Sequence, residues 1–539
     1  MKRNFQIVAL AFLLFGGLTA LLPGAYAQGG VPLWTNLYNP LLIDSFATAA
    51  VVDSDGNVFV TGYSGGHFAP FYYQYVTIKY SNTGASLWTN SYFGQALADC
   101  VANAITLDSN GDVVVTGYAG NNYTYPFNHD YVTIKYSSVG VPLWTNRYDG
   151  PASLDDQAYA IGVDGNGNVF VTGASAGTNG YSDYTTIAYS REGTALWTNR
   201  YNQPGNFVSV SKALTVDNNG NVFVTGSSHD PTGFSDFATV AYANSGIPLW
   251  TNLYSAGYGG DVASALGVDS NGNVFVTGPS ATSSSPPYNR DYATLKYSNA
   301  GVPLWTNRYH GLGNDEDIAT ALAVDRNGNV IVTGDASHGT SIDYATVMYS
   351  NTGTPLWTNL YNGHGYDFFG FNRDHAFALA VDCGGNVFVT GSSYTSDGTY
   401  DYAVVAYSSG GAALWTNCYN GPANTNDYGR AIAVDGRGNV FVTGYSYDAD
   451  GYSGYATIKY SSSIPPVHLA IVPDGSGGYF VRFSGTPGCA YRLERAPGLT
   501  GPWSAGAPII APASGLVEFR DLFPPPGQAF YRTVFEGLP

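Results

Sequence analysis

Seven of the eight histidines, His67, His129, His229, His310, His338, His364 and His375, fall in variable segments that recur between the same repeated markers. A carboxylate beside an imidazole is material for acid–base chemistry, and clustered carboxylate oxygens are material for a hard-cation site. Carboxylates do recur, just ahead of an alanine-rich run, at Asp44, Asp99, Asp155, Asp156, Asp261, Glu316, Asp317, Asp374 and Asp427. Taken one per repeat, Asp44, Asp99, Asp156, Asp261, Asp317, Asp374 and Asp427 would make a ring of negative potential able to hold a cation such as Ca2+ on an axis. A residue present in nearly every repeat more simply binds the backbone N–H groups of its own loop. That local role is equally open to Asp130, Asp183, Asp236, Asp291, Asp343 and Asp401, each of which precedes an aromatic residue. No other cofactor is expected.

Aromatic rings collect in the same segments, as in Phe68-Ala-Pro-Phe-Tyr-Tyr73, Tyr123-Thr-Tyr-Pro-Phe127 and Tyr366-Asp-Phe-Phe-Gly-Phe371. Weakly charged, ring-rich loops suit stacking on sugars or gripping a protein surface, or they brace one another. The candidate binding residues are therefore His67, Phe71, Tyr72, Tyr125, His129, His364, Tyr366, Phe368, Phe369, Phe371 and His375. No catalytic residue is assigned. Gly62-Tyr-Ser-Gly-Gly66 and Gly173-Ala-Ser-Ala-Gly177 match G-x-S-x-G only because they extend a repeated V-T-G, and neither leads into a helix. Asp53-Ser-Asp-Gly-Asn57 lacks the later ligands of a calcium loop and reads as a hairpin turn.

What must position these residues is a repeat. L-W-T-N recurs with Trp34, Trp88, Trp144, Trp197, Trp250, Trp305, Trp357 and Trp415, at spacings of 52 to 58 residues. V-D-x-x-G-[ND]-V-x-V-T-G recurs with its aspartate at 53, 108, 164, 217, 269, 325, 382 and 435. An aromatic run such as Tyr75-Val-Thr-Ile-Lys-Tyr80 follows each time. In the second unit these predict strands over Ala102 to Leu107, Asp112 to Gly117, Tyr131 to Tyr136 and Leu143 to Tyr148, with tight glycine turns in the first and last gaps. Val113-Val-Val115 suits a strand covered on both faces, and Ala102 and Ala104 suit a crowded innermost strand. With 68 Gly, 44% apolar residues and only 11% charged, and no helical periodicity after the first 25 residues, the chain reads as all-β.

Through G-N-V-x-V-T-G and the preceding A-x-A-x-x-V-D, the chain resembles the SBBP-type bacterial β-propeller repeat over roughly Leu33 to Ser461. The resemblance implies a secreted or surface propeller of varied role. The expected architecture is an all-β, eight-bladed β-propeller with four-stranded blades over 28–463, followed by a linker and a small C-terminal β-sandwich over 464–539. Leu33 to Tyr38 is expected to pair with Tyr455 to Tyr460 and close the ring, covering an open edge. A meander blade then places all short turns at one end and all long connections at the other, which is the face for function. The C-terminal pattern Tyr491-Arg-Leu-Glu-Arg, Leu499-Thr-Gly-Pro-Trp503 and Phe530-Tyr-Arg532 is similar to fibronectin- or Ig-like modules of bacterial exported proteins.

Lys2 and Arg3, the apolar run Ile7 to Leu22 and Ala25-Tyr-Ala27 read as a Sec-type signal peptide over residues 1–27. No other run is long enough to span a bilayer, so the mature chain is expected to be secreted or on the cell surface, monomeric, and not integral to the membrane. The net charge of −18 becomes −20 on cleavage, which disfavours nucleic acid and anionic lipid as partners. Cys100, Cys383, Cys418 and Cys489 leave three pairings open, and no C-x-x-C is present. These features point to an extracellular scaffold binding a glycan or protein ligand. The alternatives are a polysaccharide-active hydrolase or lyase and a purely structural surface protein.

Overall fold

A computed structural model of the chain describes residues 30–461 apart from 41–42, 67–71, 95–98, 122–127, 204–206, 284–288, 314, 340, 364 and 366–371, together with most of 470–537. The signal segment and the linker at 462–469 lie outside the described residues, among which there is no helix. Each repeat is an antiparallel meander. The second runs Cys100–Leu107, Val113–Gly120, His129–Tyr136 and Pro142–Tyr148, in that order from its inner edge. Within 30–461 there are six such four-stranded sheets and one eight-stranded sheet. The latter is two meanders joined where Ser341 and Ile342 pair in parallel with Asn372 and Arg373.

One sheet is composite. Pro32–Tyr38 pairs antiparallel with Ser453–Tyr460, placing Trp34 opposite Lys459 and Tyr38 opposite Tyr455. The N-terminal strand is thus the outer strand of the last repeat. The inner strand of the first repeat, Ile43–Val52, packs against that same last sheet, so the succession of sheets closes on itself.

The repeated residues explain why. The V-x-V positions of every second strand are buried, and adjacent sheets share cores, as where Phe59 and Tyr75 pack on Val113, Val115 and Ile134. Tyr75 crosses to the next sheet and donates its hydroxyl to Val132 O at 3.2 Å. Tyr131 and Tyr184 repeat the contact one and two sheets on. The glycine of V-T-G faces a bulge in the inner strand. A Cβ on Gly117 would lie 1.9 Å from Val101 O.

L-W-T-N is an inter-sheet latch. Trp144 donates its Nε1–H to Arg191 O at 2.9 Å and Asn146 its amide to Gly193 O at 2.7 Å, both in the hairpin of the next repeat. Gly193 has φ +87° and a Cβ there would sit 2.7 Å from the Trp144 ring, so glycine is needed both for the turn and for the indole lying over it. The last latch, Asn417 to Gly30 O at 2.6 Å, joins the seventh repeat to the segment ahead of the N-terminal strand. Among these tryptophans only Trp415 is buried; the others are half-buried at the rim, held by a contact on one face.

Beyond 469, Ala470–Pro473, Tyr479–Ser484 and Leu516–Asp521 form one sheet. Ala490–Ala496 pairs with Ser504–Ala505, Ile509–Ile510 and Phe530–Gly537 in another. Val481, Phe483, Val517 and Phe519 of the first meet Leu493 and Tyr531 of the second in a shared core, and Cys383 from a short turn of the seventh repeat packs against it. Cys383 is disulfide-bonded, while Cys100 and Cys418 are free thiols. Cys489, the remaining cysteine, lies outside the described residues. Non-reducing peptide mapping should therefore find alkylatable thiols at Cys100 and Cys418 and none at Cys383. A labelled Cys383 in unreduced protein would contradict this.

Candidate functional site

The two ends of the sheets differ chemically. At one end the D-x-x-G turns are organised by their aspartates, which also take partners from elsewhere, as Asp164 Oδ2 takes the Asn244 amide at 2.7 Å. Asp164 Oδ1 accepts the amides of Asn166 and Asn168 at 2.9 and 2.8 Å, and its Oδ2 takes the Asn168 side-chain amide at 2.8 Å. Asp53 binds Asp55 and Asn57 in the same way, as a hairpin turn rather than a calcium loop. At the other end lie the long connections between second and third strands and between repeats, and there the side chains differ from repeat to repeat.

The carboxylates ahead of the inner strands are at this second end, turned onto backbone N–H groups of their own loops or, for Asp44 and Asp99, of the preceding repeat. Asp156 accepts from Gly150 N and from Ala176 N, Asp261 from Ala256 N and Ala281 N, and Asp317 from Gly311 N and Ser337 N. Asp374 takes Gly363 N, Tyr394 N and the Ser393 hydroxyl, Asp427 takes Gly421 N, Asp44 takes Ser453 N, and Asp99 takes Tyr73 N. Burial pushes the Asp374 carboxyl up to about 6, against those three hydrogen bonds. It pushes Asp427 to about 6 as well.

Two trios bring possible ligand atoms within 4.8 Å of one another: Asp130, Asp149 and Asp156, and Asp291, His310 and Asp317. In each, an arginine (Arg147 or Arg308) already pairs with the third-strand aspartate.

Between the fifth, sixth and seventh repeats the same end holds a cavity of about 500 Å³, lined by Glu316, Asp335, Ser337, Arg373, His375 and Tyr400 among others. His375 Nδ1 lies 2.7 Å from Asp335 Oδ2. Burial alone would lower the imidazole pKa, but the hydrogen bond and charge of Asp335, with Asp374 nearby, outweigh it and raise the pKa above its ordinary value. The pair thus holds an oriented, readily charged donor at the cavity wall.

From this wall an aromatic floor runs across the mouth. His375 lies 6.3 Å from the Tyr400 ring, Tyr400 stacks on Tyr428 at 5.6 Å, and Tyr428 sits 5.0 Å from Tyr445. The series continues through Phe46 at 4.9 Å from Tyr445, Tyr63 at 5.1 Å from Phe46 and Tyr73 at 5.0 Å from Tyr63. Arg430 lies over Phe377 at 4.3 Å and donates to the Tyr445 hydroxyl at 3.0 Å. All these rings are half-buried. Burial, with Tyr73 and Tyr445 alongside, pushes the Tyr63 hydroxyl up to about 12, and burial with Tyr445 and Tyr400 does the same for Tyr428, so both stay neutral donors.

Of the residues singled out in sequence, His375 is in this site. Tyr72 is half-buried just before a third strand, and His129 pairs with Asp155 at 2.8 Å and meets Tyr118 edge-on. His67, Phe71, Tyr125, His364, Tyr366, Phe368, Phe369 and Phe371 lie outside the described residues. The floor itself was missed, because its rings occupy strand ends rather than loops. Its signal is nonetheless in the repeat. Phe46 opposite Tyr63 and Tyr428 opposite Tyr445 pair the residue just before the A-x-A or G-x-A of the inner strand with the residue after V-T-G.

An uncharacterized WD repeat-containing protein of Acanthamoeba polyphaga mimivirus is 22% identical over 408 residues, 64% of this chain. The chain spans 27% of that relative's length. Among solved structures, the β-propeller domain of the Trilobed protease from Pyrococcus furiosus aligns with TM-score 0.39 and 8% identity over 67% of this chain and 95% of its own. PorZ, a surface component of the type-IX secretion system of Porphyromonas gingivalis, aligns with TM-score 0.37 and 11% identity over 91% of this chain and 81% of its own. Residues 421–452, spanning the inner and second strands of the last repeat, match the family model of the SBBP β-propeller repeat.

Proposed function

We propose that the protein is an exported, eight-bladed propeller with a small C-terminal β-sandwich, and that its long-connection face binds a glycan. The observation that carries this reading is the continuous floor of half-exposed rings from His375 to Tyr73 beside a polar cavity. Sugars present C–H faces to aromatic rings and hydroxyls to donors and acceptors at their edges, and this surface offers both. The disulfide at Cys383 favours an oxidising compartment, in keeping with the N-terminal segment.

A glycan array followed by calorimetry tests the reading. A retained oligosaccharide should lose about tenfold or more in affinity in Tyr428→Ala and in Arg430→Ala, with melting temperatures little changed. Assays for new reducing ends and unsaturated uronates on the same ligands would reveal turnover, which would favour the hydrolase or lyase alternative. No retention of any glycan, or full affinity in both variants, would overturn the proposal.

A further inference from the structure

Three repeats place an arginine directly after W-T-N, and each guanidinium fills the same slot. Arg200 donates to Asp183 at 2.8 Å, to Ser175 Oγ and O at 2.6 and 2.8 Å, and to the Tyr148 hydroxyl of the preceding repeat at 3.3 Å. Arg308 does the same with Asp291, Ser280 Oγ and O, and Tyr254. Arg147 pairs with Asp130 and donates to Ala119 O.

The seventh repeat keeps the acceptors and lacks the cation. Ser393 stands opposite Asp401 as Ser175 stands opposite Asp183, and Tyr361 occupies the position of Tyr148 and Tyr254. The residue after W-T-N is Cys418, opposite Ala403 where Arg200 is opposite Thr185. The residue is exposed overall, and its thiol lies 3.7 Å from the Tyr361 hydroxyl.

The carboxylate left behind has no substitute. Asp401 is 6% exposed and its Oδ1 has no hydrogen-bond partner; Asp427 of the next repeat is 0% exposed and its Oδ1 has none either. Elsewhere the gap is filled from within. Asp343, with no arginine, accepts from Asn362 at 2.7 Å and lies 3.3 Å from His338. The equivalent of Asn362 is Asn420, which donates to Asn424 instead. Burying a carboxylate oxygen without a partner is costly, so such a group attracts a cation that can reach it.

We propose that the slot in the seventh repeat, facing Tyr361 of the sixth, binds an alkylguanidinium from outside the chain, either a free guanidino compound or the arginine side chain of a peptide. Its fork would meet Asp401, Ser393 O and Tyr361 as the intrinsic arginines meet their counterparts, with the alkyl stem leaving past Cys418. Burial, with Asp427 and Asp397 close by, pushes the Asp401 carboxyl up to about 7, so binding should strengthen as pH rises through neutrality.

The test uses the full mature chain at pH 8, with agmatine, butylamine as a cation lacking the fork, and a blocked Gly-Arg-Gly peptide. Agmatine should raise the melting temperature by about 1–2 °C at saturation and slow iodoacetamide labelling of Cys418 several-fold, and butylamine should do neither. Cys418→Ser should keep the thermal effect. Asp401→Asn and Cys418→Arg, the latter supplying an intrinsic guanidinium, should abolish it. A response to the peptide as strong as that to agmatine assigns the slot to arginine side chains, and a response to agmatine alone assigns it to free compounds. Equal shifts with butylamine, persistence of the agmatine shift in Cys418→Arg or Asp401→Asn, or no saturable effect of agmatine or the peptide would overturn the proposal.

Discussion

Deleting residues 28–40 should lower the melting temperature by roughly 5–10 °C and promote association into larger soluble species, because the last sheet would lose its outer strand. Pro32–Tyr38 shields the third strand Ser453–Tyr460, whose eight residues are all buried. Trp34 would leave Tyr80 and Phe441, which its ring now approaches at 6.1 and 6.0 Å, and Tyr38 would leave Tyr455 at 5.6 Å. The latch from Asn417 to Gly30 would go with them. The exposed strand then offers unpaired N–H and C=O groups to a second molecule. Scanning calorimetry and light scattering read both effects, and an unaltered, monodisperse variant would show that closure contributes nothing.

The second large effect is Gly117→Ala, for which a loss of about 3–5 kcal/mol and poor soluble yield are expected. The added methyl would meet Val101 O at 1.9 Å and Ala102 Cα at 2.9 Å, both backbone atoms of the inner strand at its bulge. Relief requires moving that strand, which is packed between the sheets on either side. Gly111→Ala is the control. Gly111 has φ +76° but its nearest neighbour is 3.9 Å away, so only backbone strain of roughly 1–2 kcal/mol is expected. Urea unfolding of the two variants separates steric from conformational cost, and equal losses would refute the distinction.

The four strands of each repeat and the N-terminal strand's partner were legible because V-x-V, the glycine turns and the truncated first repeat each admit one simple reading. Tyr455 to Tyr460 lacked an outer strand in sequence order, and Leu33 to Tyr38 lacked three inner ones. What L-W-T-N does was not legible. Its tryptophan and asparagine act on the hairpin of the following repeat, some 47 residues away for Trp144 and Asn146, and no local pattern reports a contact at that distance. The candidate site was read only to the level of a face. Histidines and rings were sought in loops, where variation is conspicuous. Tyr400, Tyr428 and Phe46 instead vary at strand ends inside an otherwise regular pattern, and are visible only when repeats are compared position by position. The slot at Cys418 is of the same type, since the departure from arginine matters only once Asp401 is known to be buried beneath it.

The meeting of the two ends of the repeat region has a consequence for its ancestry and engineering. Gly30 N donates to Ser461 O and Ser461 N donates to Val31 O, both at 2.9 Å, so head and tail are already neighbours across a sheet. At every junction the asparagine of L-W-T-N donates to a glycine carbonyl of the segment that follows, and the tryptophan adds its own bond at all but the junction closed by Gly30. The linear order of the gene is therefore one of several cuts through the same circle. Chains circularly permuted at the long connections, with Ser461 joined to Gly30 by a short spacer, retain all of these latches.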